Sequence, residues 1–201
     1  MKKIILASQS PRRKTLLTAM GVEFETIPSK FEEQLDESRN PIEVAKELSL
    51  GKARDVAKDH PDAYVIGSDA IVWFDNKQLE KPTSHENAHE LLKMLSGRTH
   101  YVTSGLAIVC LNDGVELVDA DTTEVAFKPY DEKVISEYVA TGDPMDKAGG
   151  YGIQSGGDVL VERINGETDT IVGFPTKLLA QMLNKCGIEA RSAAGIVRPF
   201  A

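Results

Sequence analysis

The sequence predicts a mixed α/β fold built on a long mixed β-sheet. Three observations predict it. Apolar runs of strand length alternate with segments of helical periodicity along most of the 201 residues. Helix-containing crossovers of that kind connect strands of an α/β sheet. One pair of long β-rich stretches, His100 to Leu111 and Val115 to Phe127, is joined through Asn112-Asp113-Gly114, a strong hairpin signal that adds an antiparallel pair.

Taken in order, Lys3 to Ala7 reads as the first strand. Ser10 and Pro11 then open a helix whose apolar face is Leu16, Leu17 and Met20, with Gly21 as its stop. A short segment, Phe24 to Ile27, follows. Asn40-Pro41 starts a second helix, with Val44, Ala45, Leu48, Lys52 and Val56 at helical spacing. Tyr64 to Phe74 reads as a strand interrupted at Ser68-Asp69 and turning at Asp75-Asn76. Thr83 to Leu95 has a capping-box start, Thr83 to Glu86, and the stripe Ala88, Leu91, Leu92 and Leu95. After the hairpin come a helix over Asp131 to Val139 and a glycine-rich loop from Gly149 to Gly157. Strands at Val159 to Ile164 and Thr170 to Val172, and a last helix from Pro175 to Leu183, complete a domain of residues 1–187. Residues 188–201 show weak periodicity and read as a mobile tail.

Composition narrows the function. With 41% hydrophobic and 27% charged residues the chain is globular. A net charge of −8 disfavours nucleic acid or an anionic membrane as partner, since either needs broad basic patches. A few cations gathered in one cleft still suffice for a small phosphorylated ligand. Cys110 and Cys186 lie far apart in apolar segments, as reduced thiols would. The apolar run at the start ends after Ala7, so it reads as a strand and not as a leader. A cytoplasmic protein is the expectation.

Four segments carry candidate chemistry. In Ser8-Gln9-Ser10-Pro11-Arg12-Arg13 both arginines fall in the first turn of a helix, where cations oppose the helix dipole. A bound anion reverses that penalty, because free N–H groups and two guanidinium forks converge on it. Asp69 sits inside an apolar strand, where a carboxylate must be paired, hydrogen-bonded or metal-bound. Its bland alternative is a capped strand break. Glu80-Lys81-Pro82 is by itself a charged turn. Asp146 to Gln154 packs glycines densely enough for close backbone approach to a ligand, with Lys147 and Gln154 as polar contacts. His85-Glu86-Asn87-Ala88-His89 matches the zinc-protease pattern literally, but lies in the first turn of its helix beside a cap and reads as surface.

Together with Gly67-x-Asp69 and Leu95-Ser96-Gly97-Arg98-Thr99-His100, these segments stand in the order and approximate spacing found in Maf proteins. From about Lys3 to Leu183 the chain resembles the Maf/Ham1-like nucleoside triphosphate pyrophosphatases. The resemblance implies two α/β lobes flanking a nucleotide-binding cleft, a divalent cation (Mg²⁺ or Mn²⁺), water attack at the α-phosphorus, and a homodimer. Carried over by motif, Asp69 is the proton acceptor and a metal ligand, and Glu33 is a second metal ligand. Ser8, Arg12, Arg13, Lys52 and Lys81 become phosphate contacts, the two lysines within the catalytic set. Arg12, Ala70 and Gln154 occupy the positions that choose the base. The motifs resemble the branch acting on dTTP and UTP, although Ala70 stands where that branch commonly has threonine. The alternatives are a pyrophosphatase for modified purines such as N7-methyl-GTP, and a nucleotide-binding regulator of cell division without turnover.

Overall fold

The computed structural model describes residues 2–32, 39–154 and 156–196. Its elements are β1 (Ile4–Leu6), α1 (Pro11–Ala19), β2 (Glu25–Thr26), α2 (Pro41–Ala57), β3 (Tyr64–Phe74), β4 (Lys77–Leu79), α3 (His85–Leu95), β5 (Thr99–Cys110), β6 (Val115–Phe127), α4 (Glu132–Ala140), β7 (Val161–Asn165), α5 (Thr168–Ile171) and α6 (Thr176–Lys185). Side chains cap the longer helices where orphan N–H groups require it: Ser10 for α1, Asn40 for α2, Ser84 for α3 and Asp131 for α4. Pro175 gives α6 no such cap, and the buried Asp169 accepts from Thr176 N instead, at 2.8 Å.

Seven strands form one sheet in the order β2-β1-β3-β5-β6-β7, with β4 also paired to β3. The β1–β2 and β1–β3 pairs are parallel and the others antiparallel. Because β5 lines one edge of β3 throughout, β1 and β4 share the other edge. β1 pairs with Tyr64 to Ile66 and β4 with Val72 to Phe74. Among the described residues no strand covers that edge between Gly67 and Ile71. This notch is where the site forms.

The strands are apolar on both faces because helices cover both. Leu6, Ile66, Leu106 and Ile108 point toward α1 and α6, where they meet Leu16, Leu17, Phe174 and Leu183. Their neighbours Ile5, Ala7, Val65, Ala107 and Val109 point the other way, onto Ala53, Val56 and Ala57 of α2. Further along the sheet Val72, Val102, Val125 and Phe127 build a second cluster with α3 and α4. On the face shared by the first and second clusters, the residues between them are small or polar: Ser68, Ala70 and Ser104. That break separates two lobes.

Several expectations are corrected. β3 is continuous, paired in register with β5 from Val65 to Trp73, with no break at Ser68-Asp69. Thr170 to Val172 is not a strand: Thr168–Ile171 is a helical turn, whose carbonyls are drawn across the sheet by side chains despite a β-branched run. Residues 157–160 form a 3₁₀ turn, so β7 begins only at Val161. The α3 cap is one residue later than the capping box placed it: Ser84 accepts from Asn87 N, and Asn87 Oδ1 accepts from Thr83 N. The start of the tail is docked: Ala193 is buried and its N–H donates to Thr176 Oγ1, while Ile188 and Ala190 pack on the first cluster. Cys110 and Cys186 are free thiols, the second only half-buried. Among the described residues no helix is long and apolar enough to cross a membrane.

Candidate active site

The site begins with two missing side chains. Gly67 on β3 and Gly105 on β5 let the backbone of α2 lie directly on the sheet. A Cβ at Gly67 would stand 2.2 Å from Ser49 O, and one at Gly105 would stand 2.2 Å from Ala45 O. The small residues Ala45, Ser49 and Ala53, four apart on one helix face, complete the contact. This close approach carries Ser49 and Lys52 to Asp69, which pairs in register with Gly105. Ser49 Oγ accepts from Asp69 N at 2.9 Å and donates to Ala45 O at 2.7 Å. Lys52 Nζ lies 3.1 Å from Asp69 Oδ2.

The notch supplies the rest. Ser68 O points along the edge that β1 has left, two residues beyond the Ile66 carbonyl that accepts from Ala7 N. Arg13 fills the place of the missing strand: Nη1 donates to Ser68 O at 2.8 Å and Nε to Gly173 O at 3.0 Å. Its Nη2 lies 3.8 Å from Asp69 Oδ1. Ser68 Oγ also reaches Gly173 O, at 2.8 Å, and Ser104 Oγ donates to Thr170 O at 2.7 Å. These two buried serines strap residues 170–173 across the break between the lobes. At Gly173, φ +93°, a Cβ would stand 3.2 Å from Arg13 Nη2 and 3.3 Å from Ala70 Cβ, a tight fit.

A cleft of about 530 Å³ opens over this arrangement, a size suited to a small-molecule ligand. Asp69, Ala70 and Lys52 line it together with the exposed Arg12, Glu80, Lys81 and Gln154. A side pocket of about 160 Å³ continues past Arg13 and Lys52 to Ser8, Gln9 and Ser29. Ser8 is buried, accepts from Ser10 N at 3.1 Å and lies 3.4 Å from Arg13 Nη1. The wall carrying Gln154 is the glycine-rich segment, docked on β3 and β4. Gly149 N donates to Glu80 O at 3.1 Å, and a Cβ at Gly149 would stand 2.9 Å from Val72 Cγ1.

The structure thus gathers Ser8, Arg12, Arg13, Lys52, Asp69, Ala70, Lys81 and Gln154 around one cleft and its side pocket. Glu33 lies outside the described residues. Arg13 differs from a simple anion clamp, since Nε and Nη1 already serve main-chain carbonyls. Lys147 is turned inward onto Asp143 and Asp146, at 2.9 and 2.6 Å. Burial opposes its charge, but those carboxylates more than offset the cost and leave its pKa raised. Asp146 is held below the usual carboxylate range by the Lys147 bond, with Arg12 adding to it. The zinc-pattern residues are elsewhere: His89 Nε2 lies 3.4 Å from Ser136 Oγ, and His85 is exposed. Ser49, Gly105 and Ser104 are not singled out by the sequence. The only signal was a glycine or serine inside an apolar strand or helix.

Fold and cleft define an α/β protein that gathers Arg12, Arg13, Lys52 and Lys81 with Asp69 in one cleft, an arrangement suited to a polyphosphate ligand. The chain belongs to the Maf family: the model of Maf-like proteins matches residues 3–186. A Dictyoglomus thermophilum protein named dTTP/UTP pyrophosphatase is 44% identical over 187 residues, covering 92% of this chain and 97% of its own. A Bacillus cereus protein of the same name is 41% identical over 193 residues, covering 96% and 94%. The solved structure of the Staphylococcus aureus Ham1 protein overlays 63% of this chain and 72% of its own with a TM-score of 0.44 at 17% identity.

Proposed function

We propose that the protein is a nucleoside triphosphate pyrophosphatase that converts dTTP and UTP to the monophosphate and pyrophosphate. The observation that carries this reading is Asp69, seated between Lys52 and Arg13 in a cleft whose other cations include Arg12 and Lys81. Relatives that match nearly the whole chain bear that activity in their names, which supports the choice of reaction and of base.

The chemistry follows from the side chains. Phosphoryl transfer is chiefly positioning and charge neutralisation, so cations and a base suffice without a covalent nucleophile. Arg12, Lys52 and Lys81 bind the triphosphate oxygens, while Arg13 holds the backbone on either side of Asp69's entry to the cleft. Asp69 takes a proton from a water molecule as its oxygen attacks the α-phosphorus. The bond from that phosphorus to the bridging oxygen breaks, and pyrophosphate leaves. Magnesium is commonly held by one or two carboxylates together with phosphate oxygens. Asp69 fits that demand because its carboxylate lines the same cleft as the cations, and the family resemblance adds Glu33. Mg²⁺ or Mn²⁺ bound there would supply charge neutralisation on the phosphates. Gln154 and Arg12 face the base, with Ala70 beneath.

A pyrophosphate-release assay across natural and modified nucleoside triphosphates tests the reading. dTTP and UTP should give the highest kcat/KM, chelation should abolish release, and Mg²⁺ or Mn²⁺ should restore it. Stepwise release of orthophosphate from the γ position would contradict the reaction. A higher kcat/KM for N7-methyl-GTP than for UTP would overturn the base assignment.

A further inference from the structure

Two buried phenols that the chemistry above does not use adjoin Gln154: Tyr151 lines the cleft, and Tyr138 lies behind it. Tyr138, on the inner face of α4, is 5% exposed and packs in the second cluster. Its hydroxyl accepts from Gly152 N at 2.9 Å and donates to the Asp143 carboxylate. Asp143 also receives Lys147 Nζ. One phenol therefore ties both ends of the 143–152 segment together. The second phenol, Tyr151, lies 2.8 Å from Nε2 of the buried His100, and the rings of His100, Phe127 and Tyr151 meet edge to face.

The segment needs such pins. Gly149, Gly150 and Gly152 give it more conformational freedom to lose than any other stretch of the cleft wall, and the first two adopt φ of +72° and +73°. Burial, reinforced by Asp143, pushes the Tyr138 hydroxyl pKa well above its ordinary value, so it stays a donor throughout the working range. The Gly152 N–H is spent on that hydroxyl and does not face a ligand. Two residues further on, Gln154 stands exposed on the cleft surface.

We propose that Tyr138 is a specificity-positioning residue: by holding Gly152 it determines where Gln154 meets the base of the nucleotide. The proposal rests on the reading of the cleft as a nucleoside triphosphate pyrophosphatase site.

Tyr138→Phe keeps the ring and removes only the hydroxyl. Amide exchange over residues 149–154 of the free protein should speed up about tenfold, a lost hydrogen bond's worth of about 1.4 kcal/mol. The kcat/KM ratio between the best and worst nucleoside triphosphates that the parent protein hydrolyses should fall about tenfold by the same conversion. That fall should appear as a higher KM for the best substrate, with kcat within about twofold. Asp143→Asn weakens the same pin from its acceptor side and should move both readouts in the same direction, less far. A phenol with only a structural role would lower Tm and leave the ratio where it was. An unchanged ratio in both variants, whatever the exchange rates, overturns the proposal. A parent that prefers a purine overturns the pyrimidine reading but leaves this comparison intact, and one that releases pyrophosphate from no triphosphate overturns both.

Discussion

Around Asp69 the cleft wall is set by backbone lying on backbone, whereas around Gln154 it is set by side-chain hydroxyls reaching into a glycine-rich loop. α2 rests on β3 and β5 where Gly67 and Gly105 have no side chain, and Ser49 and Lys52 arrive at Asp69 as a consequence. The wall that carries Gln154 has Tyr138 and Tyr151 as its anchors. Steric contact between two regular elements leaves no freedom to adjust, so Asp69 and Lys52 are held by parts that cannot move independently. Hydrogen bonds to a loop can be lost one at a time. The difference predicts that damage on the Asp69 side removes turnover, and damage on the Gln154 side loosens recognition.

The largest effect should come from Asp69→Asn, which keeps the shape and removes the proposed base. Turnover should fall by roughly 10²–10⁴-fold. Nucleotide affinity should stay within about tenfold, since Arg12 and Lys81 remain. Melting temperature, affinity and pyrophosphate release measured on one preparation separate this from a structural role, in which stability and turnover would fall together.

Gly105→Ala and Gly149→Ala compare the two walls directly. The first drives a methyl group against the Ala45 carbonyl inside a helix–sheet contact and should cost about 3 kcal/mol of stability, with kcat reduced. The second strains a residue at φ +72° and crowds a valine side chain that can give slightly, so a cost of about 1–2 kcal/mol is expected. There KM should rise more than kcat falls. Urea unfolding with steady-state kinetics checks both, and equal partition between kcat and KM in the two variants would remove the distinction.

A smaller effect concerns pH. Burial lowers the His100 pKa from 6.5 to about 3. Between those values the unfolded chain binds a proton that the folded chain refuses, so stability is fully present above pH 6.5 and declines as pH falls toward 3. The slope from this group approaches about 1.4 kcal/mol per pH unit. His100→Gln should flatten that part of the profile in urea titrations at pH 7 and pH 5. An unchanged slope would mean that other groups dominate acid unfolding.

Much of the candidate site was legible in the sequence, for physical reasons. A carboxylate within an apolar strand demands partners, which marks Asp69, and helical spacing places Lys52 on the buried side of α2. The Ser10-Pro11 start explains Arg12 and Arg13. What could not be read is who touches whom across the chain. Gly105 and Ser49 look unremarkable until β5 and α2 meet, and Gly173 O acquires meaning only as the shared acceptor of Arg13 and Ser68. Lys147 reads as a ligand because a lysine in a glycine-rich loop has no visible partner, yet Asp143, four residues earlier, takes it. Thr170 to Val172 reads as a strand from its β-branched side chains, but Ser104 of β5 holds the Thr170 carbonyl and Ser68 of β3 the Gly173 carbonyl, and the segment turns.

The account centres on a water molecule that Asp69 directs at the α-phosphorus. Hydrolysis of UTP in ¹⁸O-enriched water, with the products separated and analysed by mass spectrometry, tests this most directly. The label should appear in the nucleoside monophosphate, with unlabelled pyrophosphate as co-product. Label in pyrophosphate, or in orthophosphate released alongside the diphosphate, would place the attack at another phosphorus and contradict the account.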